Sequence, residues 1–239
     1  MNSIFGRKLY FSANGGNPNL EFRLAKYDQS GKLLEEEGIH RVESYESGEY
    51  LLEEMQDNAW DPSRYLNVWI CCYVPGWGKR EGLSLPATVL SSVGDRILSG
   101  LTVRERVDDA VSVDRSDPWN IGIVINAAYD DYTETYTWRF YQYNWEANFG
   151  TYFGLLSTNT TYQQDDYCSD TYAYSNSAMT DGSYRKKSDA GYRFDSENIM
   201  DDPSMSTTIS GEQVQRIRWV LDNCPSRWAY KSDFALTGE

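Results

Sequence analysis

The sequence predicts an α/β fold of the α+β kind, with a twisted mixed sheet backed by one long helix and an irregular C-terminal part closed by a second helix. Three kinds of segment support this prediction. Residues 65–73 and 121–126 are apolar runs of strand length, residues 136–156 are an aromatic run of helix length, and residues 211–223 have helical periodicity. With 239 residues, 40% of them hydrophobic, the chain is large enough for one packed core. We therefore expect a single domain over residues 1–239, with an upper part to about residue 157 and a lower part from residue 158.

The first third of the chain contains three predicted elements. Residues 20–25 alternate apolar and polar side chains, which predicts a half-buried strand, and Asp28-Gln29-Ser30-Gly31 supplies the turn after it. Residues 50–55 have helical spacing, and Asp61-Pro62 ends that helix. The apolar run at residues 65–73 is typical of a central strand.

The middle of the chain predicts the main helix. Residues 74–119 are rich in Gly, Pro and Ser, which favours a long ordered loop across the sheet. A further buried strand is expected at residues 121–126. The helix expected at residues 136–156 carries Gly150 and Gly154 four residues apart on one face, where it could lie close to the sheet.

The lower part is predicted to be irregular until its last helix. Residues 157–208 are dominated by Asp, Ser, Tyr and Gly. Ser210 and Gln213 then have the spacing of a capping box, with Ser210 as the N-cap. The helix that they open is expected to end before Pro225.

Charge limits the classes of partner. The formal net charge is −14, from 36 acidic and 22 basic residues, so the chain repels phosphate backbones and anionic membrane surfaces. Basic peptides or calcium suit it better, although acidity also simply keeps a protein in solution. No segment approaches the length of a membrane span, so we expect neither a nucleic-acid partner nor a spanning helix. Four cysteines, Cys71, Cys72, Cys168 and Cys224, allow disulfides without requiring them, and their pairing stays open.

Several short segments, in a fixed order, carry a family resemblance: residues 20–28, 38–42, 65–78, 122–126, 152–156, 166–171, 198–201 and 211–227. As an ordered set they resemble the pappalysin-type metzincin metallopeptidases, in particular the lipoprotein zinc peptidases of Bacteroidetes-like bacteria. The resemblance implies a metzincin-like catalytic-domain fold and a place outside the cell or in the bacterial envelope. It also implies a shortened N-terminus, because the family begins with a strand and a helix that are missing before residues 7–12.

In that family a helix carries H-E-x-x-H-x-x-G-x-x-H, whose histidines bind zinc and whose glutamate is the general base. Aligned on residues 152–156, the motif positions hold no zinc ligand: Ala147, Thr151 and Ser157 replace the histidines and Asn148 replaces the glutamate. At neutral pH an amide cannot act as a base.

A register two residues earlier would make Glu146 the base, but it places Trp145 and Phe149 at the first two histidine positions. Whatever the register, the chain has one histidine, His40, so it cannot build a three-histidine site. We expect no bound zinc and no catalytic residue, and a Ser or Cys hydrolase centred on His40 is a remote alternative.

Two further groups carry expectations from the resemblance. Met200, in Asn198-Ile199-Met200-Asp201, aligns with the methionine of the turn beneath the metzincin zinc site, although a single Met also commonly fills a gap in an ordinary core. Asp165, Asp166 and Asp170 form an acidic loop that could bind calcium, although their spacing is not that of an EF-hand and a solvated loop is the alternative.

The expected function is that of a metallopeptidase-like pseudoenzyme, which at most binds a peptide or protein in the former cleft. The densest aromatic group could contribute to such a surface or to the core: Tyr136, Trp138, Phe140, Tyr141, Tyr143 and Trp145. The alternative is a remnant or structural domain that kept the fold of a secreted zinc metallopeptidase lineage and binds nothing.

Overall fold

The computed structural model describes residue 5 and residues 15–43, 54–55, 57–62, 64–71, 82–84, 88–104, 122–126, 129–130, 135–136, 145–175, 184–202, 205 and 207–231. The strands are β1 (Val68–Cys71), β2 (Gly82–Ser84), β3 (Thr88–Leu90), β4 (Thr102–Arg104), β5 (Ile123–Asn126), β6 (Tyr129–Asp130), β7 (Thr135–Tyr136), β8 (Arg185–Lys187) and β9 (Arg193–Asp195). The α-helices with bounds in the described residues are α1 (Trp145–Tyr152) and α2 (Gly211–Asn223), with 3₁₀ segments at Ser91–Arg96 and Pro225–Lys231. The helices and strands alternate irregularly, and the strands form one three-stranded sheet and several two-stranded ones, which is consistent with the predicted α+β class.

The largest sheet is mixed, in the order β1-β5-β2. Strand β5 pairs parallel with β1 and antiparallel with β2. Its residues Ile123 and Val124 are fully buried, whereas Val68 and Ile70 of β1 are 37% and 46% exposed. The prediction that residues 65–73 form the central strand is therefore wrong for the described part of the sheet, where β5 is central. An apolar run alone does not distinguish a central strand from an edge strand whose apolar side chains stay partly exposed.

The expectation of a long loop at residues 74–119 is also wrong. The described part of that stretch contains β2, the parallel pair β3 and β4, and a 3₁₀ segment. These strands are three residues long, which is too short for periodicity to reveal. Conversely, the strand predicted at residues 20–25 is absent from the structure. The alternation there reflects Leu20 and Phe22, which pack against the core from a segment without regular secondary structure.

Local signals were more reliable. The turn at Asp28 forms as predicted: the Gly31 amide donates to the Asp28 carbonyl, and the Asp28 carboxylate accepts from the Ser30 and Lys32 amides. Glu54 and Met55 are helical, and the chain leaves the helix before Asp61, whereas residues 50–53 lie outside the described residues.

The long helix expected at residues 136–156 is wrong at both ends. Tyr136 belongs to β7, and α1 runs only from Trp145 to Tyr152, whereas residues 137–144 lie outside the described part of the chain. Gly154 is beyond the helix, with φ at +86°, so it does not share a helical face with Gly150. A left-handed residue cannot continue a right-handed helix, which is why α1 stops there.

In the lower part, the predicted capping box of α2 is confirmed in both halves. The Gln213 amide donates to Ser210 Oγ at 3.2 Å, and the Ser210 amide donates to Gln213 Oε1 at 2.9 Å. The helix ends at Asn223, before Pro225, as expected. The β8–β9 hairpin was not predicted; otherwise the described residues between 157 and 208 are irregular.

One hydrophobic cluster joins the upper and lower parts of the chain. Its buried members are Phe5, Ile123, Phe149, Tyr152, Phe153, Leu155, Ile199, Met200, Ile209, Ile217 and Leu221. Cys168 and Cys224 are buried free thiols, so neither forms a disulfide. Among the described residues, no helix is long and apolar enough to cross a membrane.

Candidate functional site

The end of α1 is built by a complete Schellman motif. The Leu155 amide donates to the Gly150 carbonyl at 2.9 Å, and the Gly154 amide donates to the Thr151 carbonyl at 2.9 Å. Gly154 supplies the left-handed residue that this motif requires.

The four substituted motif positions lie on α1 and just after its turn. Ala147, Asn148 and Thr151 are half-buried residues of α1, with Ala147 and Thr151 one helical turn apart on one face. Ala147 packs against the core cluster. Ser157 follows the turn and is half-buried, and its Oγ accepts a hydrogen bond from the Asn159 amide at 3.1 Å.

Met200 lies directly against α1. A Cβ placed on Gly150 would come within 2.5 Å of Met200 Sδ, so the helix and the sulfur approach closely only because residue 150 has no side chain. The turn that carries Met200 is closed by Asn198, whose Oδ1 accepts from the Met200 amide at 2.9 Å. Asn198 also exchanges two hydrogen bonds with Gln213, the capping residue of α2, at 2.8 and 3.1 Å. The methionine is therefore both a core residue, 5% exposed, and the floor beneath α1.

A buried polar network lies on the far side of that turn. The Asp201 carboxylate accepts from Thr158 Oγ1 at 2.6 Å and from Ser196 Oγ at 2.9 Å. Ser196 Oγ in turn accepts from Lys186 Nζ at 2.6 Å, and Lys186 also donates to the Tyr174 hydroxyl at 3.2 Å. These five side chains are at most 3% exposed. Burial raises the pKa of Asp201 and lowers the pKa of Lys186 to about 8.

Ser196 and Lys186 have the contact distance of a Ser–Lys catalytic pair. Ser196 is fully buried, however, and its hydroxyl already donates to Asp201. A nucleophile must reach its substrate, so this arrangement is suited to holding the fold together and not to catalysis.

Two buried arginines hold the C-terminal end of α1. Arg227 Nε donates to the Tyr152 carbonyl at 2.7 Å, and its guanidinium lies 3.7 Å from the centre of the Tyr152 ring. Arg216 donates from Nε to the Gly154 carbonyl and from a terminal nitrogen to the Ser99 carbonyl at 2.6 Å. Burial lowers the pKa of both groups. Cations suit the negative end of a helix, so these contacts stabilise the C-terminal end of α1 and the turn that follows it.

The acidic loop is occupied by hydrogen bonds within the protein. Asp165 accepts from the Tyr167 amide, and Asp166 accepts from the Cys168 amide and from Thr171. Asp170 accepts from Ser210 Oγ at 2.6 Å and from the Glu212 amide at 2.9 Å, at the start of α2. Burial raises the pKa of Asp166.

These contacts attach the loop to the N-terminus of α2. Within the described residues no group of three or more His, Cys, Asp or Glu side chains could hold a metal ion. Calcium binding by Asp165, Asp166 and Asp170 stays a prediction.

His40 is exposed and lies against a half-buried tryptophan, apart from these contacts. Its Nδ1 accepts from Trp60 Nε1 at 3.1 Å, and Trp60 packs edge-on against Tyr65 with ring centres 4.9 Å apart. The contact joins the segment around residue 40 to the chain just before β1.

Sequence reasoning missed the buried polar residues that hold α1 and its floor. Lys186 and Arg216 each carried one usable signal. Lys186 is the inward residue of a short alternating strand, and Arg216 is adjacent to the apolar stripe of α2. Most of the aromatic group at residues 136–145 lies outside the described residues, and Trp145 is half-buried against the core. Comparisons of the chain with models of known protein families, with curated proteins and with solved structures give no match.

Proposed function

We propose that the chain is a metallopeptidase-like pseudoenzyme, which lacks the zinc ligands and the general base and binds a peptide or protein segment in the former cleft. The observation that carries the proposal is the conjunction at α1: a helix that ends in a left-handed glycine at the motif position of Gly154, with Met200 packed beneath Gly150. Gly154 and Met200 take their motif positions from the sequence resemblance alone.

The chemistry of the substituted positions excludes the mechanism of the resembled family. Ala147 has no donor atom, and the neutral hydroxyls of Thr151 and Ser157 are not among the ligands that zinc prefers in proteins. The Asn148 amide cannot take a proton from water. Loss of all four groups together removes a buried carboxylate along with the cation that would have offset its charge.

The first experiment restores the motif. The variant A147H/N148E/T151H/S157H should take up about one zinc per chain, whereas the native protein takes up none. The matched control, W145H/F149H/L155H, builds the three-histidine motif two residues earlier around the native Glu146 and should take up none, because residues 149 and 155 are buried in the hydrophobic core. Elemental analysis of chelator-free protein measures all three. Stoichiometric zinc in the native protein overturns the proposal, and a folded four-site variant without zinc refutes the register.

The second experiment tests binding. A protein with a charge of −14 should favour basic peptides, so a set of basic, neutral and acidic extended peptides is compared by thermal shift and by mass spectrometry for cleavage. Stabilisation by intact peptides supports the pseudoenzyme. No stabilisation by any class favours the alternative, a domain that kept only its structure, and cleavage by the metal-free protein overturns both.

A further inference from the structure

The β8–β9 hairpin places a lysine amine inside the protein. Lys186 is 2% exposed, whereas its neighbours Arg185 and Lys187 point to solvent, in keeping with the alternation of side chains along a strand. Burying an ammonium group is costly unless it is paired and hydrogen-bonded. The groups that face Lys186 therefore determine whether it carries its proton.

The contacts around Lys186 form a directed chain that ends on the turn beneath α1. The amine donates to Ser196 Oγ, and Ser196 donates to the Asp201 carboxylate. Asp201 is the residue after Met200, and Thr158 holds its other oxygen. The turn that seats Met200 against Gly150 is thus connected to a buried titratable amine.

We propose that Lys186, Ser196 and Asp201 form a proton-linked lock on the turn at residues 198–201, so that the folded state in which Met200 is seated under α1 gains stability as the pH rises through the mildly alkaline range. This inference goes beyond the proposed function and does not depend on any ligand.

The direction of the effect follows from the two states of Lys186. In the folded protein burial lowers its pKa to about 8, against an ordinary value of 10.5, although the nearby Asp201 and Asp202 oppose that shift. Between these two values the unfolded chain binds more protons than the folded one, so stability rises with pH. The full difference of 2.5 pKa units (10.5 − 8) corresponds to at most roughly a 300-fold change in the unfolding equilibrium constant.

The other groups that face the amine do not produce the same signal. The Tyr174 hydroxyl lies 3.2 Å from Nζ and its ring centre 4.4 Å away, and burial raises the pKa of Tyr174, so it stays protonated. Burial raises the pKa of Asp201 above its ordinary value of 3.8. Its effect on the free energy of unfolding is therefore opposite to that of Lys186, because the stability it contributes is lost as the pH rises through its folded pKa. Asp202 is exposed and contacts the Tyr174 hydroxyl through its backbone amide and carbonyl. Among these groups, only Lys186 therefore predicts a gain in stability on the alkaline side.

The test compares two substitutions that make the same change of charge on the same strand. Thermal unfolding is followed from about pH 7 to about pH 10 for the native protein, Lys186→Met and Lys187→Met. The native protein and Lys187→Met should gain stability relative to Lys186→Met across that range, by tens-fold or more in the unfolding constant. Equal pH slopes for the two variants overturn the proposal.

A second measurement uses the native protein and holds even if Lys186→Met fails to fold. Proteins labelled with ¹³C at lysine Cε and at methionine methyl groups are titrated by NMR. One lysine, recognised by its contact with the Tyr174 ring, should titrate near pH 8, and the Met200 methyl signal should shift with the same midpoint. A Met200 signal that does not move with that lysine overturns the lock, and so does a set of lysines that all titrate at their ordinary value.

Discussion

Replacing Gly154 by alanine should be one of the most damaging single-methyl changes in this protein. Gly154 has φ at +86°, where a non-glycine residue costs about 1–2 kcal/mol. A Cβ there would lie 2.5 Å from Val220 Cγ2 and 3.3 Å from Leu101 Cδ2, and such overpacking costs about 1–3 kcal/mol more. Alanine restores about 0.4–1 kcal/mol by restricting the unfolded chain. The net loss of unfolding free energy should be about 2–4 kcal/mol.

The assay is urea unfolding followed by far-UV circular dichroism, with Gly31→Ala as the matched control. Gly31 has the same φ, +86°, but a Cβ added there would meet no atom within 4 Å, so only backbone strain remains. That variant should lose about 1.5 kcal/mol at most. The difference between the two variants isolates the contact of Gly154 with α2.

A double variant separates the contact from other causes. In a Val220→Ala background the clash is relieved, so the additional loss caused by Gly154→Ala should fall toward that of Gly31→Ala. The reasoning is refuted if Gly154→Ala costs no more than Gly31→Ala, or if the Val220→Ala background leaves its cost unchanged.

Two further predictions concern buried polar groups. Arg227→Met should lose about 2–3 kcal/mol in urea unfolding, because it removes the hydrogen bond to the Tyr152 carbonyl and the ring contact, and Arg227→Lys should not restore it. An unchanged midpoint for either variant would contradict this role. Burial raises the pKa of Cys168 to about 12 and that of Cys224 to about 11, so iodoacetamide at about pH 8 should label their peptides only in denaturant. Rapid labelling of either native peptide, seen by mass spectrometry, would show that the thiol is accessible.

Short-range signals in the sequence predict local structure well. The capping box of Ser210 and Gln213 and the turn at Asp28 form as expected, because each depends on side chains within five residues of one another. The predicted helix runs through Gly154, where the structure has a left-handed residue, because periodicity does not reveal a positive φ. The short strands β2, β3 and β4 escape sequence reasoning because β2 pairs with a strand about 40 residues further on and each is only three residues long.

The sequence by itself determined that the chain cannot assemble a three-histidine zinc site, since it has a single histidine, and that an α+β domain with a capped C-terminal helix was to be expected. Only the tertiary structure decided where the buried charges go. Three basic residues look like ordinary surface residues in the sequence: Lys186, Arg216 and Arg227. Each can be buried because a backbone carbonyl or a hydroxyl elsewhere in the chain accepts a hydrogen bond from it. Such long-range satisfaction of polar groups leaves at most a weak local pattern, such as the alternation around Lys186, which does not reveal the partner of the buried charge.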